Sequence, residues 1–91
     1  MKFLCVCGVG QGTSLLLRMN VDEVLKEMKI KAEVDNSDLT SANSEKVDYI
    51  VTNSEFAKQI RSNASVIIVE NYFDKNEIRK SLEKELEKKG V

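Results

Sequence analysis

Cys7-Gly8-Val9-Gly10-Gln11-Gly12-Thr13-Ser14 is the stretch that decides how this chain is read. Before it stands Phe3-Leu4-Cys5-Val6, an apolar run of the right length for one buried strand. After it, from Leu15 to Met28, apolar residues recur at helical spacing. A thiol thus falls where a strand ends, glycines alternate through the turn, and a helix follows. Glycines allow successive backbone N–H groups to converge without Cβ obstruction. Such a nest, backed by the unpaired donors and positive dipole end of a helix N-terminus, favours an anion. A phosphate, or a thiolate carrying one, suits that setting.

The two cysteines differ in placement. Cys5 lies inside the strand and reads as a small core residue, since cysteine is among the most buried residue types. Cys7 stands at the edge of the turn, where N–H donors lower a thiol's pKa and raise its thiolate fraction. Gly-rich turns also occur for tight geometry alone, so the thiol is what carries the chemical reading. A Cys-x-Cys pair without a second pair or any histidine is a poor metal site and a poor disulfide framework. No metal and no cofactor is expected, and a reducing cytoplasmic setting fits the cysteine usage.

Working outward, Thr13 or Ser14 is the expected N-cap of the first helix. Its apolar face is expected to hold Leu16, Met19, Val24 and Met28, with Leu17, Val21 and Leu25 beside them. Ile30 to Asp35 alternates with period two, as a half-exposed edge strand does. A short helical turn is expected near Thr40 to Glu45. Val47 to Thr52 reads as a third strand, and Asn53 or Ser54 caps a short helix through Phe56, Ala57, Ile60 and Arg61. Ser65 to Glu70 is mostly β-branched and predicts a strand buried on both faces. Asn71-Tyr72-Phe73 reads as a loop with two exposed aromatics. From Asp74, Ile78, Leu82 and Leu86 line one face of a last helix, which Gly90 ends.

Alternating strands and helices over 91 residues imply one domain, residues 1–91, with a four-stranded parallel sheet flanked by helices. This is a flavodoxin-like or Rossmann-like three-layer sandwich. Ligands of such sheets lie beyond the carboxyl ends of the strands. Thr52-Asn53-Ser54 and Asn71-Tyr72-Phe73 are therefore expected to rim the Cys7 turn. A formal net charge of −1 gives no electrostatic case for nucleic acid or an anionic membrane. Phe3 to Val6 is too short to insert into a bilayer.

Known phosphate-binding signatures can be tested on the turn. Counting from Gly8, Thr13 stands where a dinucleotide fingerprint needs its last glycine, and no lysine follows Gly12 as a Walker loop requires. Small cysteine-dependent phosphatases use Cys, five residues, then Arg, which clamps the phosphate; Thr13 stands at that position. Their general acid, an aspartate from another loop, has only Asp74 as a counterpart. The turn has a nucleophile and a cradle but lacks the clamp, which describes a phosphate carrier better than a hydrolase.

Cys7 to Ser14, continuing through Arg18-Met19-Asn20-Val21-Asp22, resembles the IIB phosphocarrier of the bacterial sugar phosphotransferase system. The ascorbate type is the nearer match and the galactitol type a more distant one. The resemblance implies that a phosphohistidine on a IIA protein gives its phosphoryl group to Cys7. The group then passes to a sugar held by the membrane-embedded IIC transporter, with which the carrier associates peripherally in the cytoplasm. Backbone N–H groups of Gly8, Val9, Gly10, Gln11, Gly12, Thr13 and Ser14 would hold the phosphoryl oxygens, with the Thr13 and Ser14 hydroxyls as added donors. Docking of IIA would use the rim of the turn with Tyr72 and Phe73. Two alternatives stand beside this reading: a phosphatase or arsenate-reductase-like enzyme, and a regulatory module of the same fold without transfer activity.

Overall fold

A computed structural model describes residues 1–6 and 11–88, with the backbone alone at 11–14. Its elements run β1 (Lys2–Val6), α1 (Gln11–Glu27), β2 (Glu33–Ser37), α2 (Leu39–Ala42), β3 (Tyr49–Thr52), α3 (Ser54–Ala57), β4 (Ser65–Ile68) and α4 (Lys75–Lys88). The strands form one parallel sheet in the order β2-β1-β3-β4. Chain direction across the sheet reverses between β1 and β3, which makes their carboxyl ends the switch point.

Period-two alternation divides the strands between two cores. Phe3 and Cys5 of β1, Tyr49 and Val51 of β3, and Ile67 at β4 face α1 and α4. There they meet Leu17, Val21, Val24, Leu25, Ile78, Leu82 and Leu86. Leu4, Val6 and Ile50 face the other way, against Ala42 of α2, Leu39 and Ile60. The three layers expected from the sequence are present, and α4 buries Ile78, Leu82 and Leu86 as its spacing requires.

Several local expectations are corrected. Helix α1 is already formed at Gln11, so Thr13 and Ser14 belong to its first turn and are not its N-cap. Its buried stripe is centred on Leu17, Val21 and Val24, while Leu16 and Met28 are half-buried and Met19 is exposed. At 100° per residue Met19 is 200° from both Leu17 and Val21, on the side away from the sheet. β2 starts at Glu33 and not at Ile30, because Ile30 belongs to the C-cap of α1. Its N–H bonds the Leu25 carbonyl, and the Lys29 N–H bonds that of Lys26, a Schellman cap. β2 does lie at the sheet edge. So does β4, and Ile68 is exposed, so burial on both sides is not achieved. The short helices have the expected kind of cap. Asn53 Oδ1 accepts from Phe56 N, and Asp38 Oδ1 from Ser41 N. That N–H holds the Asp38 carboxyl below the usual carboxylate range. Gly90 lies outside the described residues.

The Schellman cap places Lys29 at φ 60°, the only non-glycine residue at positive φ among those described. A side chain there costs roughly 1–2 kcal/mol, part of which glycine returns through its freer unfolded chain. Lys29→Gly should stabilise the fold by about 0.5–1 kcal/mol. A higher urea midpoint at unchanged m-value would show it; a lower midpoint would contradict the cap.

Candidate active site at the carboxyl edge of the sheet

The chain leaves β1 at Val6, fully buried, and enters α1 at Gln11. Cys7, Gly8, Val9 and Gly10 lie outside the described residues. Gln11, Gly12, Thr13 and Ser14 form the first turn of α1, whose leading N–H groups have no carbonyl partner within the helix.

The framework around this junction is described in atomic detail. From the β3 side, the Thr52 hydroxyl donates to the Val6 carbonyl oxygen at 2.9 Å, with Thr52 fully buried. The Thr52 carbonyl accepts from Val69 N at 2.8 Å, so β4 holds β3 at this level. From the β2 side, Arg18 Nε donates to the Val34 carbonyl at 3.2 Å, and Nη1 approaches Asn36 Oδ1 at 3.5 Å. On the opposite flank, buried Asn20 donates from Nδ2 to the Tyr72 carbonyl at 2.7 Å. Arg18 and Asn20, two residues apart, thereby tie α1 to both β2 and the β4–α4 loop.

That loop is held by carboxylates. The two oxygens of Glu77 accept from Glu70 N (2.6 Å) and Asn71 N (3.1 Å). Glu70 Oε1 accepts from Ser54 N at 3.0 Å, joining the two loops expected to rim the site. Asp74, the one counterpart of a phosphatase general acid, instead caps α4 by accepting from Asn76 N and Glu77 N. Lys75 pairs with Glu23 across α1 and α4, and this carboxylate raises the Lys75 pKa.

Tyr72 corrects the expectation of two exposed aromatics. Its side chain is buried in the core shared by α1 and α4, while Phe73 is 77% exposed. Within this loop Asn71 Oδ1 accepts the Phe73 N–H at 3.0 Å. Sequence reading missed the roles of Glu70, Glu77 and Asn20. A signal existed for Asn20: a polar residue between Leu17, Val21 and Val24 on the buried stripe needs a partner.

No helix among the described residues is long and apolar enough to cross a membrane. A lactose-specific IIB component domain of the phosphoenolpyruvate:carbohydrate phosphotransferase system from Streptococcus pneumoniae superposes with TM-score 0.60. The likeness covers 96% of this chain and 95% of that one at 17% identity, a likeness of fold. The ascorbate-specific PTS system EIIB component of Mycoplasma pneumoniae (strain ATCC 29342 / M129 / Subtype 1) is 30% identical over 90 residues, covering 94% of this chain and 95% of the relative. The profile of the family described as "PTS system, Lactose/Cellobiose specific IIB subunit" matches residues 2–84. The chain therefore belongs to the IIB family of the sugar phosphotransferase system, and is a phosphoryl-transfer component of that system.

Proposed function

We propose that Cys7 accepts a phosphoryl group from the phosphohistidine of a IIA protein and hands it to a sugar bound by a membrane IIC transporter. The observation that carries this reading is the contrast between the thiols. Cys5 is built into the inward face of β1 with no exposure, which leaves Cys7, between the end of that strand and the N-terminus of α1, as the nucleophile. In the charging step the Cys7 sulfur attacks phosphorus as the P–N bond breaks and the S–P bond forms. The imidazole nitrogen leaves and takes up one proton, matching the proton lost by the thiol. Backbone N–H groups of Gly8 to Ser14 and the Thr13 and Ser14 hydroxyls hold the phosphoryl oxygens. The chemistry is mostly positioning and electrostatics. The ascorbate-specific relative supports an ascorbate-like sugar. The carrier works in the cytoplasm, at the inner face of its transporter, and Phe73 is the aromatic available at the docking rim.

A phosphatase reading loses its general acid, since Asp74 is engaged as the α4 cap. No guanidinium stands between Cys7 and Ser14, so a contact that would strengthen in the hydrolytic transition state is missing. The chain also has no histidine to deprotonate water. Phospho-Cys7 should therefore persist in the isolated protein and discharge when a IIC transporter and its sugar are added. Intact-protein mass spectrometry, after charging by IIA and removal of the donor, follows the single adduct. Its loss within the turnover time of a phosphatase, without acceptor, would rule out a carrier.

A further inference from the structure

Among the described residues, the Thr52 hydroxyl is a side-chain group that reaches the backbone immediately before the proposed phosphoacceptor. In β1 the register pairs Cys5 with Val51, and Val6 lies one step past the last β1–β3 pair. At this step the ladder is continued by a side chain: Thr52 Oγ1 bonds the Val6 carbonyl oxygen. That carbonyl belongs to the peptide group shared with Cys7. Because a peptide is planar, fixing its C=O direction fixes the plane through which the chain enters Cys7.

Thr52 is itself well anchored. Its residue is paired with Ile68 in the β3–β4 register, and its carbonyl receives the Val69 N–H. The bond spans 46 positions of sequence and sits at the switch point between β1 and β3. A buried valine would fill nearly the same volume but leave the Val6 carbonyl without this donor. The hydroxyl's distinct contribution is directional.

We infer that Thr52 is a positioning residue for phosphoryl transfer, aiming the thiol-bearing turn through the Val6 carbonyl. The inference rests on the carrier reading of Cys7. An in-line displacement is sensitive to small errors of aim, and a misplacement of about 1 Å can cost roughly 100-fold in rate. Docking of the donor, which uses the exposed rim, does not pass through this buried bond.

The test compares wild-type protein with Thr52→Val, Thr52→Ser and Thr52→Ala in charging by a phosphorylated ascorbate-type IIA protein. Thermal melts verify folding, and Cys7→Ser serves as control. Thr52→Val should lower the charging kcat by about 10- to 100-fold with KM for IIA unchanged, and Thr52→Ser should recover most of it. The Ser/Ala pair differs by the same hydroxyl and keeps the comparison available if the valine variant does not fold. Equal rates for threonine and valine, or for serine and alanine, would overturn the positioning role, as would a rise in KM alone. Charging that survives Cys7→Ser would bring down the carrier reading and this inference with it. Rates unaffected at Thr52 while Cys7→Ser is inactive would bring down the inference alone.

Discussion

Cys7→Ser should abolish charging by IIA while the protein stays folded. The replacement is nearly isosteric and falls in sequence between the end of β1 at Val6 and the start of α1 at Gln11. A serine hydroxyl is a far weaker nucleophile than a thiolate at neutral pH. The control is Cys5→Ser, which makes the same atom exchange two residues earlier. There the hydroxyl would be placed in the apolar core between β1 and the α1/α4 layer, where Cys5 has no exposed surface. That burial costs about 1–3 kcal/mol unless a partner is found. The expected pattern is thus crossed: one variant is stable and inactive, the other destabilised and active. Phosphoryl incorporation and urea unfolding on both variants measure the two axes. Charging retained by Cys7→Ser would remove the assignment.

The second large effect belongs to the sheet. Phe3→Ala should destabilise the fold by about 3–5 kcal/mol, a large share of the roughly 5–15 kcal/mol that holds a typical domain together. Phe3 is fully buried in β1, and its ring stacks on Tyr49 of β3 with centroids 4.8 Å apart. Removing it opens a cavity that the two flanking strands, each bonded on both sides of Phe3, cannot close. For a domain of this size the melting temperature should fall by more than about 10 °C. A spectroscopic marker accompanies the loss. Burial is the main reason the Tyr49 phenol ionises above its ordinary range, with Glu85 and Asp48 adding to it. Water entering the Phe3 cavity should move that ionisation back toward the ordinary value. A Phe3→Ala protein with wild-type stability would mean that the β1–α1–α4 core is not the main source of stability.

Much of this architecture was legible in the chain, for local reasons. The β-branched and apolar runs marked β1, β3 and β4, period-two alternation reached the first part of β2, Asn53 announced the cap of α3, and the spacing of Ile78, Leu82 and Leu86 oriented α4 correctly. The placement of a thiol between a buried strand and a helix was also visible, because covalent order alone puts Cys7 there.

What depended on tertiary structure is everything set by a distant neighbour. Ser65 to Glu70 has the composition of a central strand, yet β4 lies at an edge, since among the described residues no further strand pairs with it. Tyr72 and Phe73 are adjacent and similar in sequence. Asn20, 52 positions away, binds the Tyr72 carbonyl and helps decide which ring enters the core. Met19 fits an apolar pattern locally, but the rotation of α1 is set by the sheet it covers, and the methionine faces outward. Thr52 reads as the polar end of a strand until β1 arrives beside it and presents the Val6 carbonyl. Local periodicity and capping follow from each residue's own backbone and its near neighbours. Edge position, helix rotation and the partner of a buried hydroxyl follow from the order of the strands in the sheet and the packing around it, which bring together residues 46 and 52 positions apart.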